Sequence, residues 1–370
     1  MNEWINEVWK KLDKKLSAEA VRNRDKIPYT TVDGVYNNMS RDDVTWWTNG
    51  FWPGLMWLMY KGTGNGEYKK TAEKGEELLD AAFDEYEKLH HDVGFMWHLS
   101  SGVNYRITGN RKSFLRNINA ANILAGRYNP CGEFIRSWNG DDNKGWVIID
   151  SMMNIPLLYW ASEVSDDPRY KYIAIKHADK VMTTHLRGDG SVNHIVELDI
   201  DTGEAVQSFG GQGMREGSSW SRGQSWAVYG YVLSYIHTGN ERYLDAAKRV
   251  AHYFISCVAD TGYIPQSDFR APKEPVIIDT TAGAIAACGL IEIANNVPEF
   301  EKDMYLNAAI KILKALEENY CDWNTETDSI LQMGTEAYGR ERGRHIPIIY
   351  GDYYFAEAIY KLKGFDMLFW

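Results

Sequence analysis

The chain has 370 residues, of which 44% are hydrophobic and 25% are charged, and this composition predicts a globular protein with a large core. Its net charge of -11 argues against a nucleic-acid partner, because phosphate binding needs a basic surface. The 14 Trp and 23 Tyr residues are unusual. Such side chains fill a core or line a pocket in which flat apolar faces stack on a sugar ring.

The first predicted element is an amphipathic helix in "MNEWINEVWKKLDKKL", whose apolar positions form one stripe. It has no apolar segment of the kind found in signal peptides, and no apolar run in the chain reaches membrane-spanning length. We therefore expect no membrane association. The four cysteines are far apart and form no CxxC pair, which predicts reduced thiols, a cytoplasmic location and no zinc site.

Five later segments share a polar turn, an aromatic residue and an Ala-rich amphipathic helix. Their aromatic residues are Tyr68, Phe114, Tyr170, Tyr243 and Tyr305. A more apolar helix precedes each turn, as in "FWPGLMWLMY" and "SWAVYGYVLSYI". The N-terminal helix and "GDYYFAEAIYKLKG" can form a sixth pair.

Helix pairs that cannot bury their apolar faces alone must stack on their neighbours. The uneven spacing of the pairs favours a closed ring with functional loops over a regular solenoid. We see no linker or composition shift, so residues 1–370 are predicted to form a single all-α domain. The Gly-rich stretch 185–217 is the exception and is predicted to hold a short hairpin.

Three segments concentrate Trp, Gly and polar residues at the starts of apolar helices. They are "TWWTNGFWPG" (45–54), "GWVIIDSMMNIPLLYW" (145–160) and "GGQGMREGSSWSRGQSW" (210–226). In a ring of helices these junctions meet at one mouth, where the positive ends of the helix dipoles favour an anionic ligand.

Two aspartates in apolar surroundings are candidate acids: Asp92 in "HHDVGFMW" and Asp150 in "VIIDSMMN". If they meet across a pocket, burial and repulsion raise one pKa and leave one carboxyl protonated and one ionised. A helix N-terminus at Asp150 has the opposite effect on its pKa. The sequence does not decide which effect is larger.

Each motif also has a plainer interpretation. An Asp at a helix start is usually a cap, and a His pair beside an Asp is more often structural than a ligand set. We expect no metal at "HHD", because adjacent side chains diverge and no HxxxH or HxxE spacing is present. The functional interpretation depends on the co-occurrence of the motifs.

Six motifs in this order resemble glycoside hydrolase family 88, the unsaturated glucuronyl hydrolases, over nearly the whole chain. They are "WTNGFWPG", "HHDVGFMW", "IIDSMMNIPLLYWA", "SSWSRGQSWAVYG", "AGAIAACGLIEIA" and "YGDYYFAEAI". The resemblance implies an (α/α)6 barrel of about twelve helices with long loops at the pocket mouth. It implies release of a Δ4,5-unsaturated uronic acid from lyase-generated oligosaccharides by hydration of the C4–C5 double bond, with no metal or organic cofactor.

The resemblance also implies roles for individual residues. Asp150 matches the acid that protonates C4, and Asp92 matches the group that supports the transition state. The substrate carboxylate requires a local cation in this acidic protein, and Arg222 is our candidate. The other implied substrate contacts are Trp47, His91, Trp138, His194, Gln212, Trp220, Trp226 and Tyr338.

Two features of the chain differ from the family pattern. Gly211 occupies a position where many members have a His, so a polar contact to the sugar is either absent or supplied from elsewhere. The loop 337–347 is basic, with Arg340, Arg342, Arg344 and His345. It either contacts a sulfate or carboxylate on the next sugar or is a solvated surface loop.

The leading interpretation is a cytoplasmic hydrolase that acts on fragments of glycosaminoglycan type, as a monomer or weak homo-oligomer. A hydrolase of unsaturated galacturonyl or rhamnogalacturonyl groups in pectin fragments is the second. A catalytically silent sugar-binding barrel is the third, and the presence of both Asp92 and Asp150 argues against it. An isomerase on a barrel of this type is a fourth, for which paired histidines would be needed.

Overall fold

The computed structural model describes residues 2–370 and contains twelve long helices. In chain order they are α1 (Asn2–Arg22), α2 (Phe51–Thr63), α3 (Gly66–Leu79), α4 (Gly94–Gly102, continued by Val103–Thr108), α5 (Arg111–Gly126), α6 (Ser151–Asn154, continued by Pro156–Ser165), α7 (Pro168–His185), α8 (Ser221–Thr238), α9 (Glu241–Ala259), α10 (Thr280–Asn296), α11 (Glu299–Tyr320) and α12 (Ile349–Leu362).

The even-numbered helices form an inner ring and the odd-numbered helices form an outer ring. Each inner helix packs against the next, and α12 closes the ring on α2. The outer helices α3, α5, α7, α9 and α11 each pack on the inner helix that precedes them, whereas α1 packs on α12. This is the predicted (α/α)6 barrel, including the sixth pair made from the two ends of the chain.

The repeated turns explain why the pairs form. Gly64, Gly109 and Gly239 end α2, α4 and α8 in the left-handed conformation that glycine adopts without strain. The next helix then begins with an Asn whose side chain accepts backbone N–H groups of the first turn, as at Asn65 and Asn240. The "TGN" sequences are therefore a stop signal followed directly by a start signal.

A small antiparallel sheet lies beside the barrel mouth. Its strands are β1 (Trp146–Ile148), β2 (Ile195–Leu198) and β3 (Ala205–Phe209), in the order β1-β2-β3. The hairpin of β2 and β3 confirms the prediction for 185–217, whereas the pairing of β1 with it was not predicted. Because β1 directly precedes Asp150, the sheet helps to position the start of α6.

The remaining elements are short and lie in the connections. Two-stranded pairs form between Thr31–Val32 and Val35–Tyr36 and between Tyr128–Asn129 and Phe134–Ile135. Short helices cover Met39–Asp42, Trp47–Gly50, Asp80–Lys88, Asp141–Asn143 and Glu341–Gly343. Among residues 2–370, the model contains no helix with the length and apolar character needed to span a membrane.

Candidate active site

A cavity of about 460 Å³ opens at the end of the barrel where the inner helices begin. The residues that line it come from the segments just before the inner helices, from the sheet and from the loop that precedes α12. They are Trp46, Trp47, His90, Asp92, Trp138, Trp146, Asp150, His194, Ile195, Phe209, Gly211, Gln212, Trp220, Arg222, Trp226, Ala337 and Arg340.

Most of the site residues predicted from the sequence border this cavity. The two exceptions are His91 and Tyr338. His91 lies behind the two aspartates and does not border the cavity, so its contact with a substrate stays a prediction. Tyr338 is engaged through its backbone, with its N–H donating to Gln212 and its carbonyl accepting from Arg344.

Several lining residues were missed by the sequence analysis. His90 borders the cavity where His91 was expected, and Trp46 precedes the predicted Trp47. Trp146 lies on β1 and Phe209 on β3, with their ring centroids 4.6 Å apart. His90 and Trp46 are adjacent to predicted residues, and Phe209 lies in the predicted hairpin. Neither kind of signal shows which way a side chain points.

The two aspartates meet at the imidazole of His91. Its Nε2 atom is 3.0 Å from Oδ1 of Asp150 and 3.3 Å from Oδ1 of Asp92. Its Nδ1 atom is 2.9 Å from the carbonyl oxygen of Ser137. The structure therefore brings the two candidate acids to one buried group, although they are far apart in sequence.

Local structure directs both carboxyl groups to this point. Asp150 directly precedes α6, but its side chain bonds to His91 instead of capping the helix. One turn later, Nδ2 of Asn154 donates to Asp92 at 3.0 Å, while Oδ1 of Asn154 accepts the N–H of Phe95 at 2.9 Å. Gly94 permits this approach, since a Cβ atom there would lie 2.6 Å from Oδ1 of Asn154.

The environment separates the pKa values of the two acids. Burial raises the pKa of Asp92 to about 7, with a further contribution from the charge of Asp150. Burial also acts to raise the pKa of Asp150, but the charge of His91 and its hydrogen bond outweigh burial and lower that pKa below its usual value. The pKa of His91 is raised: burial opposes the rise, and the two carboxylates outweigh it.

The segment 90–92 also brings together groups of the kind that bind metals. Ligand atoms of His90, His91 and Asp92 lie within 4.8 Å of one another, so the expectation that adjacent side chains diverge was wrong. The reason is that these residues form a turn before α4, where the regular alternation of a strand does not apply. Both ring nitrogens of His91 have hydrogen-bond partners. Catalysis without a metal or cofactor stays a prediction.

His194 and Gly211 form one side of the cavity. Nδ1 of His194 lies 3.0 Å from the backbone nitrogen of Gln212 and 3.3 Å from the carbonyl oxygen of Gly210. Nε2 has no hydrogen-bond partner among residues 2–370. Gly211 has φ +56°, and a Cβ atom there would lie 2.1 Å from Nδ1 of His194. The glycine therefore permits the close packing of His194.

Arg222 lines the cavity, but its charge is already paired. One terminal nitrogen lies 2.6 Å from Oδ2 of Asp279 and donates to the carbonyl of Thr335, and the other donates to the carbonyl of Glu336. The guanidinium also packs over the ring of Trp220 at 4.7 Å. The role of Arg222 toward a substrate carboxylate stays a prediction. In that role, Asp279 would hold the guanidinium in place.

The basic loop 337–347 divides into two parts. Arg344 donates to the carbonyl of Tyr338 and packs over its ring, and Nε2 of His345 accepts the N–H of Ile278. Arg340 and Arg342 instead border a second cavity of about 780 Å³. Arg340 also borders the first cavity, so it lies between the two.

No protein-family model matches the chain. Two known relatives are similar over 92% of this chain. The unsaturated glucuronyl hydrolase of Bacillus sp. (strain GL1) is 35% identical, with 91% of its length covered. The unsaturated chondroitin disaccharide hydrolase of Streptococcus pneumoniae (strain ATCC BAA-255 / R6) is 33% identical, with 87% of its length covered.

Solved structures give the same result. The unsaturated glucuronyl hydrolase of Streptococcus agalactiae superposes with a TM-score of 0.93 at 30% identity, covering 100% of this chain and 94% of that one. A UGL variant described with dGlcA-Glc-Rha-Glc gives 0.91 at 31% identity, over 98% and 97%. A Streptococcus agalactiae variant complexed with dGlcA-GalNAc6S gives 0.85 at 28% identity, over 100% and 94%. The chain belongs to the unsaturated glucuronyl hydrolases, glycoside hydrolase family 88.

Proposed function

We propose that this hydrolase removes a Δ4,5-unsaturated uronic acid from the non-reducing end of lyase-generated oligosaccharides of glycosaminoglycan type. The observation that carries the proposal is the carboxyl pair of Asp92 and Asp150 around His91, at the base of an aromatic cavity. The names of its relatives support the substrate class, since they include glucuronyl and chondroitin disaccharide hydrolases.

In the proposed reaction Asp150 donates a proton to C4, and the π electrons of the double bond form the new C–H bond. Positive charge develops at C5, where the carboxylate side of the pair stabilises it. Water then adds to C5 and returns a proton to Asp150. The resulting hemiketal opens and the aglycone leaves, so the enzyme ends in its starting protonation state.

The rest of the cavity suits a single sugar ring. Trp47 and Trp138 offer flat apolar faces, while Trp220 and Trp226 are almost fully buried at the cavity border. A volume of about 460 Å³ is within the range of small-ligand pockets. The imidazole of His194 and the side chain of Gln212 supply polar contacts. The aromatic faces and these few polar groups together favour a planar, partly unsaturated ring.

The second cavity is the proposed place of the next sugar. Arg340 and Arg342 border it, and cations there favour a sulfate or carboxylate on the aglycone. A relative has been solved with dGlcA-GalNAc6S, which supports an anionic second sugar. Replacing both arginines by Gln is expected to raise KM about tenfold for sulfated disaccharides, the loss of roughly one charge-assisted hydrogen bond, and to change it little for unsulfated ones. An equal effect on both classes would refute this role.

The direct test of the function is a substrate panel. The protein is incubated with unsaturated chondroitin, heparin and pectin disaccharides, and the ultraviolet absorbance of the C4–C5 double bond is followed. We expect the absorbance to fall with the glycosaminoglycan disaccharides. A fall confined to pectin fragments would favour the galacturonyl alternative, and no fall with any substrate would leave the sugar-binding alternative.

Three further proposals concern the molecule as a whole. Six helix pairs close one ring, which supports a single domain over 1–370. The cysteines at 131, 257, 288 and 321 are free thiols, which supports a cytoplasmic location. We propose a monomer or weak homo-oligomer, to be checked by sedimentation.

A further inference from the structure

His91 has a hydrogen-bonding arrangement that constrains where its protons lie. The carbonyl oxygen of Ser137, 2.9 Å from Nδ1, can only accept a hydrogen bond. Nδ1 must therefore carry a proton. The ring is buried, with 1% of its side chain exposed.

The opposite nitrogen faces two further acceptors. Nε2 lies 3.0 Å from Oδ1 of Asp150 and 3.3 Å from Oδ1 of Asp92. Three lone pairs meeting without a proton would repel one another, so one proton must lie among Nε2 and the two carboxyl oxygens. The net charge of His91, Asp92 and Asp150 taken together is the same whichever of the three atoms carries that proton.

We propose that His91 holds this shared proton and passes it to Asp150 when substrate binds, which makes His91 a proton-positioning residue for the reaction. This proposal rests on the proposed function and adds His91 to the residues that take part in the reaction. Asp150 needs a proton before it can act on C4, and its lowered pKa leaves it ionised in the free protein at neutral pH. The Nε2–H group of His91 is one hydrogen bond away.

The protons on His91 and Asp150 return to their starting positions after one turnover. The Nε2–H bond of His91 breaks and the O–H bond of Asp150 forms. The substrate carboxylate drives this transfer because Asp150 borders the cavity and His91 lies behind it, so the added negative charge raises the pKa of Asp150 more than that of His91. Asp150 then gives this proton to C4. The water that adds to C5 returns one proton to Asp150, and that proton moves back to Nε2.

Apart from Asp92, the titratable groups around His91 do not compete for its proton. The charged or titratable groups that influence the triad are Arg127, His90, His177 and His194, in addition to the two aspartates. Burial lowers the pKa of His90 and His177 to about 3 and that of His194 to about 4. These three histidines are neutral at pH 7, which leaves His91 as the imidazole that carries the proton.

A spectroscopic measurement tests the proposal without reference to activity. The wild-type protein is labelled with 15N in histidine, and the His91 signals are assigned by comparison with His91→Gln. We expect Nδ1 to stay protonated from pH 5 to 9 and Nε2 to be protonated at pH 7. An Nε2 atom without a proton at pH 7, or an Nδ1 atom without a proton, would overturn the proposal.

Kinetics supply the second readout. The amide of His91→Gln can still donate to Asp150 but cannot release a proton, so kcat is expected to fall about 10²-fold with KM within threefold of wild type. His252→Gln, on the outer helix α9, is the control and leaves both constants unchanged. A His91→Gln variant with the wild-type kcat would contradict the proton transfer from His91 to Asp150. A variant whose lower kcat/KM comes from a higher KM alone would contradict it as well. If wild-type protein consumes no unsaturated disaccharide, the proposed function fails, and the NMR result still decides the proton positions.

Discussion

Two groups of buried carboxylates lie at opposite ends of the inner ring. At the mouth, Asp92 and Asp150 surround His91 beside an open cavity. Toward the other end, Glu292 and Glu357 surround Lys361. Both groups lie on or next to inner helices, but their positive partners differ in kind.

The group at the far end is held together by ion pairs and hydrogen bonds. Lys361 pairs with Glu292 and lies 3.4 Å from Glu357, which also accepts from the hydroxyl of Tyr229 at 2.6 Å. The indole of Trp370 donates to Glu357 and stacks on Tyr354, covering the group from below. The two acids raise the pKa of Lys361 despite its burial, so its charge is permanent at neutral pH.

The comparison shows how one fold uses buried acids for two purposes. A permanently charged lysine neutralises its neighbours and holds them in place, which serves structure. An imidazole that shares one proton with two carboxylates leaves that proton able to move, and the cavity beside it admits a substrate. Mutations at the mouth should therefore affect turnover, whereas mutations at the far end should affect stability.

The largest expected effect is at the mouth. Asp150→Asn removes the group that donates to C4, so kcat is expected to fall about 10³-fold with little change in KM or in the unfolding midpoint. Steady-state kinetics on an unsaturated disaccharide and thermal unfolding measure the two quantities. A variant that keeps more than a tenth of wild-type kcat would show that Asp150 is not the acid.

The far end should show the reverse pattern. Lys361→Met leaves two buried carboxylates without their cation, and the free energy of unfolding is expected to fall by about 3 kcal/mol. Its kcat, measured well below the unfolding temperature, should stay near the wild-type value. Lys363→Met, two residues away and exposed at its charged end, is the control and should change stability by less than about 0.5 kcal/mol. A strong loss of kcat at full folding in Lys361→Met would remove the distinction between the two ends.

A smaller effect should appear in the pH dependence of stability. Because the pKa of Asp92 is raised to about 7, the folded protein keeps a proton that the unfolded chain releases above pH 4. The contribution of Asp92 to stability therefore falls as the pH rises from about 4 to 7. Asp92→Asn has no carboxyl at this position and does not lose stability in this way as the pH rises. It should be about 1 kcal/mol more stable than wild type at pH 8, and its turnover should be impaired.

Chemical denaturation at pH 4 and pH 8 measures this difference. The gain should be present at pH 8 and absent at pH 4. Asp201→Asn, in the exposed turn between β2 and β3, is the matched control and should show no change at either pH. A destabilised Asp92→Asn at pH 8 would mean that the carboxylate is held favourably in the folded state.

The helix pairs could be predicted because their signals are local. The "TGN" turns place a stopping glycine next to a capping asparagine, and both effects act within a few residues. The strand β1 could not be predicted, since it exists only by pairing with β2 almost fifty residues later. The wide turns of α4 at Gly94–Gly102 likewise depend on packing around the ring.

The site was predictable in its residue types and less so in its geometry. Asp92 and Asp150 stood out because a carboxylate among apolar residues needs a partner. Which of two adjacent histidines faces the cavity depends on backbone angles in the turn at 90–92, and the sequence does not contain them. The pairing of Arg222 with Asp279 joins two inner helices, so neither residue alone shows that the charge is neutralised.

Transfer of a proton to a C4–C5 double bond at the mouth of the barrel is the central step of the proposed reaction. The most direct test compares an unsaturated disaccharide with its saturated counterpart, which has the same linkage and aglycone, and measures release of the reducing end. We predict release from the unsaturated compound in step with the loss of ultraviolet absorbance, and none from the saturated one. Comparable release from both would show direct cleavage at the anomeric carbon and contradict the proposed reaction.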